Sequence, residues 1–159
     1  MTIQRFGRNM RMAFHIVGAT LLLLLCPVAA FQAGDWHWPY IVQSIDLAPD
    51  PVPRGGTLQV LAVRTYLDNC DLSFARQIES VSQPGAAPTI LPEEHTSTPW
   101  RFNNRAQTLN IAIPQDFPCG SAQLKTSPSA ACNWLQAHLW RQTQRPALTP
   151  FEIACGPAQ

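Results

Sequence analysis

The stretch TLQVLAVRTYL, residues 57–67, decides the fold. It runs eleven residues without glycine or proline, and its aliphatic residues fall on both alternating faces at first. Leu58, Val60 and Ala62 share one face, while Leu61 and Val63 lie on the other. That pattern predicts a central β-strand covered on both sides.

The segments on either side repeat the theme in shorter form. Upstream, APDPVPRGG (48–56) is a strong punctuator: its prolines stop ladder pairing and Gly55-Gly56 permits a reversal. Before it, Ile41, Ile45 and Leu47 begin a first strand. Downstream, LSFARQIES (72–80) places Leu72, Phe74 and Ile78 on one face. Residues 83–99 read as loop with one edge strand at 89–91. TLNIAIP (108–114) turns Leu109, Ile111 and Ile113 inward, and residues 121–131 group Ala122, Leu124 and Thr126. FEIAC (151–155) ends the series with Phe151, Ile153 and Cys155 on one face. Seven or so short strands separated by regular turns predict an all-β chain, a single antiparallel immunoglobulin-like β-sandwich. The Cys…Trp…Cys core signature of antibody domains is missing, because no Trp lies between Cys70 and residue 99. One segment departs from the pattern. Trp134, Leu135, His138 and Leu139 recur at helical spacing before Pro146, which predicts a short helix near 133–142.

The first thirty residues read as a targeting segment. Arg5, Arg8 and Arg11 precede an apolar run through Leu21–Leu25, Pro27 ends the helix, and Val28-Ala29-Ala30 offers small residues for cleavage after Ala30. The competing reading is an uncleaved inner-membrane anchor at 12–31. Either way the rest of the chain is expected in the periplasm or outside the cell, with the membrane touched only through this segment. The expected division is 1–30 signal peptide, 31–40 aromatic lead-in, and 41–155 disulfide-bonded domain.

Beyond position 30, eight Lys and Arg face ten Asp and Glu, with Lys125 the single lysine. No basic patch remains to neutralise phosphates, so nucleic acid is not an expected partner. Four cysteines remain there, an even number that predicts two disulfides. Their spacings of 49, 13 and 23 positions do not match the short Cys-x-x-Cys pairs of zinc sites. Strand direction sets the pairing. In a sandwich of this type the second and sixth strands run toward the same rim, which joins Cys70 to Cys132. The last strand runs antiparallel to the sixth, which joins Cys119 to Cys155.

No catalytic constellation stands out. The serines lie outside any G-x-S-x-G setting. His37, His95 and His138 belong to no metal-ligand pair, and no metal or cofactor is expected. Asp68 with Asp71, or Glu93 with Glu94, supplies the acid pair of an alternative reading, a small envelope enzyme acting on glycans. The remaining functional signal is aromatic. Trp36, Trp38 and Tyr40 share one face of GDWHWPY, and Trp134 and Trp140 flank the helical segment. These five, and Trp100 with them, either anchor a protein or envelope component or plug the sandwich ends; the plug is the preferred reading throughout, 36–40 included. Arg64, Arg76, Arg101 and Arg105 read either as ligand contacts or, the preferred reading, as strand-face charges that discourage edge aggregation.

The phrase CNWLQAHLW…P…FEI, after a glycine-initiated strand and with RTYLDNC upstream, resembles small uncharacterised exported proteins of proteobacteria and their phages. That resemblance implies an exported, disulfide-bonded chain and carries no catalytic residue over. The expectation for function is therefore a non-enzymatic binding or structural module of the cell envelope or extracellular space.

Overall fold

A computed structural model describes residues 3–34, 37–97 and 99–157, and the chain divides into two units, Met1–His37 and Trp38–Gln159. In the first unit, helix α1 (Ile3–Gly34) continues through Pro27, correcting the expectation that this proline ends it. Proline removes one helical hydrogen bond, and the good helix formers on either side, Leu25 and Ala29-Ala30 among them, carry the helix past it. Among the described residues no helix is long and apolar enough to cross a membrane.

The second unit is all-β. Strands β1 (Tyr40–Ala48), β3 (Thr57–Tyr66) and β7 (Ala106–Ala112) form an antiparallel sheet in the order β1-β3-β7. The other sheet contains β2 (Val52–Arg54), β4 (Asp71–Ser80), β5 (Thr89–Ile90), β6 (Glu94–Thr96), β8 (Gly120–Ala131), β9 (Gln142–Thr143) and β10 (Ala147–Pro157). Its path is β2-β10-β8-β4-β5, with β6 on β4 and β9 on β8.

Two details correct the expected seven-stranded antiparallel arrangement. Short edge strands raise the number of described strands to ten, and β2 pairs with β10 in parallel. The source of the second difference is the proline-rich turn. With cis bonds at Ala48–Pro49 and Asp50–Pro51, the chain leaves β1 and reaches the edge of the opposite sheet. There Val52 is wholly buried and the Asp50 carboxylate accepts the Glu152 N–H at 2.9 Å. An edge strand needs donors on one side only, which tolerates Pro53. The turn then closes through Gly55, whose φ of 71° favours a residue without Cβ.

β3 is central in its sheet but covered on one face only. Leu58, Val60, Ala62, Arg64 and Tyr66 point into the protein, whereas Thr57, Gln59 and Leu61 face outward and are exposed. β1 carries a bulge: Val42 opposes Arg64, then the register shifts so that Ile45 opposes Ala62 and Leu47 opposes Val60. The extra residue turns Ile45 and Leu47 inward and leaves Ile41 outward.

The inward faces of the two sheets meet in one cluster that includes Leu58, Ile111 and Ile113 from the first and Ile78, Leu124, Phe151 and Ile153 from the second. A second cluster gathers Tyr40, Tyr66, Cys70, Leu72, Phe74 and Ala130, with Trp38 and Cys132 against it. The helix near 133–142 is shorter than expected. α2 (Trp134–His138) starts at Asn133, whose side chain accepts the Gln136 N–H at 3.0 Å, and β9 has begun by 142.

Candidate functional site

Between the two clusters the inward-facing residues become small or polar. β3 turns in Ala62 and Arg64, β7 Gln107, β4 Arg76, β8 Thr126 and β10 Ala147. These side chains do not fill the space between the sheets, and a cleft of about 390 Å³ remains. That is within the size range of small-molecule sites, about 300–1,000 Å³. Trp38, Tyr40 and Phe74 line one part of it. Along one seam, Val42 and Ile45 of β1 lie opposite Arg145, Ala147 and Thr149. Both apolar residues face inward yet are 44% and 38% exposed. Along the other seam, Glu94, Gln107 and Thr108 are shared with a shallower recess that includes His95 and Phe102.

Two arginines set the electrostatics. Arg64 and Arg76 are 8% and 7% exposed and come from opposite sheets. Their Cζ atoms lie 4.7 Å and 5.2 Å from the centroid of the Phe74 ring, so one ring carries both guanidinium groups. Arg64 also sits 5.9 Å from the Tyr40 centroid. Arg76 has a counterion: its Nη1 is 2.7 Å from Glu94 Oε2. Arg64 does not. Its Nη1 donates to Gln107 Oε1 at 2.5 Å, an oxygen that also accepts the Tyr66 hydroxyl at 3.2 Å. Among the described residues no carboxylate pairs with Arg64. A desolvated cation–π contact contributes about 2 kcal/mol, whereas taking a charge out of water costs several kcal/mol. Ring stacking and one neutral acceptor therefore leave this cation short of compensation. Burial pushes the Tyr40 hydroxyl above its ordinary range, and the nearby Arg64 charge opposes the rise. Tyr40 is thus a neutral hydroxyl at physiological pH.

The sequence-predicted residues fall in several places. Trp36 lies outside the described residues. Tyr40 is 8% exposed and packs on Trp38, Tyr66 and Phe74 at centroid distances of 5.4, 6.0 and 5.9 Å. Trp38 and Tyr40 therefore form wall rather than open surface. Trp134 and Trp140 are exposed, with Trp134 stacked on His138 at 4.7 Å. The cysteines come together as Cys70–Cys132 and Cys119–Cys155, with Cα separations of 4.2 and 5.1 Å. The carboxylates are divided among separate partners. Asp71 pairs with Arg141 at 3.1 Å, Glu93 accepts the Ser73 hydroxyl, and Glu94 holds Arg76. Among the described residues no group of three His, Cys, Asp or Glu side chains is placed to hold a metal ion.

Arg64 and Arg76 are not the edge charges that the preferred sequence reading made them. Neither guards an edge; β3 is flanked by β1 and β7, and β4 by β8 and the two short strands. Parity identifies both. Arg64 is two positions beyond Ala62 on the inward face of β3, and Arg76 lies between the inward Phe74 and Ile78.

No family model matches the chain, and no curated protein matches it in sequence. Among solved structures, it is similar to a β-glucosidase from Listeria innocua in complex with glucose, at TM-score 0.46 and 8% identity, over 75% of this chain and 16% of that one. It is similar also to the C-terminal domain of wzt, at TM-score 0.46 and 11% identity, over 75% of this chain and 77% of that one.

Proposed function

We propose that the second unit is an exported, non-enzymatic binding module on an immunoglobulin-like sandwich, and that the cleft between its sheets is its ligand site. The strand order supports the fold. The first, β3 and β7 strands stand where A, B and E do in such domains, and the β10-β8-β4 run stands where G, F and C do. Two disulfides suit an oxidising, exported setting. The observation that carries the function is the pair of buried arginines facing one phenyl ring at an unfilled gap between the sheets. A close-packed core leaves no such gap, whereas a ligand site requires one. Hydrolysis of glycans by paired carboxylates has no observation in its favour, since Asp71, Glu93 and Glu94 each serve a different partner.

Native mass spectrometry of the full chain tests the reading. Ala62 is buried at the cleft, so Ala62→Phe fills it. Incubated with a small-molecule extract of bacterial envelope, the unaltered chain gains discrete mass and Ala62→Phe gains none. Equal adducts on both, or none on either, overturn the cleft as the site.

A further inference from the structure

We infer that the cleft takes a ligand with a single carboxylate on an apolar body, the carboxylate seated against Arg64. This rests on the cleft being the ligand site, and it adds the chemistry of the ligand.

Charge comes first. Of the eight basic residues beyond position 30, Arg64, Arg76 and Arg145 line this one cleft, and Glu94 is the single acid among its lining residues. Glu94 is engaged by Arg76, so among the described residues Arg64 is the buried cation with no carboxylate facing it. Its guanidinium spends Nη1 on Gln107. The rest of the planar fork matches the two oxygens of a carboxylate. The Gln107 carbonyl oxygen is occupied by Arg64 and Tyr66, which leaves its amide N–H groups as further donors on the cleft wall.

The walls then define the rest of the molecule. Val42, Ile45, Leu109 and Leu124 offer no hydrogen bonds. Thr108, Thr126, Thr149 and Gln144 also line the cleft, but along the four apolar side chains a sugar or nucleotide leaves hydroxyls unpaired, whereas an alkyl or aryl body loses nothing. The exposed inward faces of Val42 and Ile45 continue the apolar surface to the mouth. Arg145, the third lining cation, is exposed and screened by water, so a doubly charged phosphate meets one uncompensated buried cation and is the poorer match. The ligand read from these contacts is an amphipathic monocarboxylate of the fatty-acid class.

Isothermal titration of the full, disulfide-intact chain with decanoate, decanol and inorganic phosphate, below the micelle concentration, tests it. Decanoate binds saturably. Decanol binds at least about tenfold more weakly, the loss expected for a charge-assisted hydrogen-bonded head group, and phosphate shows no saturable heat. Arg64→Met keeps the apolar stem and removes the cation, and it binds decanoate and decanol alike. Equal affinities of the unaltered chain for decanoate and decanol overturn the carboxylate while leaving the cleft as a site. Absence of decanoate binding, or an Arg64→Met chain that keeps the preference, also overturns it. If Arg64→Met fails to fold, the comparison of ligands on the unaltered chain still decides. The mass measurement on Ala62→Phe judges the cleft separately.

Discussion

Cys70 and Cys132 stand opposite one another at the rung that follows Asp71↔Ala131 in the β4–β8 ladder, with Cα atoms 4.2 Å apart. Cys119 and Cys155 tie the other end of β8 to β10, beside the Ile153↔Gly120 rung. Both bridges therefore join neighbouring strands of one sheet. The first spans 62 residues, which by chain entropy corresponds to about 4 kcal/mol. Replacing Cys70 and Cys132 together by alanine is expected to lower unfolding free energy by about that amount in urea titrations. The loss exceeds that for the Cys119, Cys155 pair, because Cys70 lies 1% exposed in a core cluster whereas Cys155 is at the surface. An unchanged urea midpoint for the first double variant would contradict this placement.

The tryptophans divide into two kinds with opposite behaviour. Trp38 packs on Tyr40 and the second core cluster, so Trp38→Ala is expected to cost about 2 kcal/mol, somewhat less than truncation of a fully buried ring. Trp134 and Trp140 are 64% and 45% exposed. Their alanine variants are expected to stay within about 0.5 kcal/mol of the unaltered chain. Thermal melts of the three single variants check the contrast, and a large loss at Trp134 would show that its exposed ring is structural.

Acid stability should depend on Glu79. It sits on the outer face of β4, where Gln123 donates to it at 2.8 Å, Lys125 is 3.1 Å away, and Gln77 donates from the same strand. The Gln123 hydrogen bond, then Lys125 and Gln77, hold its carboxyl below the usual glutamate range. A depressed folded-state value means the stabilisation is present above the unfolded-state value and is lost as pH falls through the folded one. Unfolding midpoints of the unaltered chain should therefore drop below the ordinary glutamate range more steeply than those of Glu79→Gln. Parallel curves for the two chains over that acid range would remove Glu79 from the account.

Strands exposed to water on one face were readable from alternation alone. Leu109 and Ile111 on β7, with Ile113 just past its end, and Leu72, Phe74 and Ile78 on β4, point inward as their period of two predicts. β2 was not readable, because three residues around Pro53 carry no period and their pairing with β10 depends on residues about a hundred positions away. The β1 bulge is equally silent, since nothing in YIVQSIDLA marks Gln43 as the extra residue. The cleft was half legible. Parity places Arg64 and Arg76 inward, but the partner that distinguishes them does not appear in either strand: Glu94 reaches Arg76 from β6, while Arg64 finds only Gln107, 43 residues on. Helical spacing revealed α2; the exposure of Trp134 depends on what packs around it and could not be read from spacing.

The two disulfide loops overlap: one runs from 70 to 132, the other from 119 to 155. Every peptide bond between Cys70 and Cys155 therefore lies inside at least one covalent ring. A protease that nicks any single bond in that span releases no fragment, and the severed ends stay tied to a β8 strand anchored at both of its ends. In the oxidising setting that keeps both bridges closed, such a chain survives its first cut as one molecule.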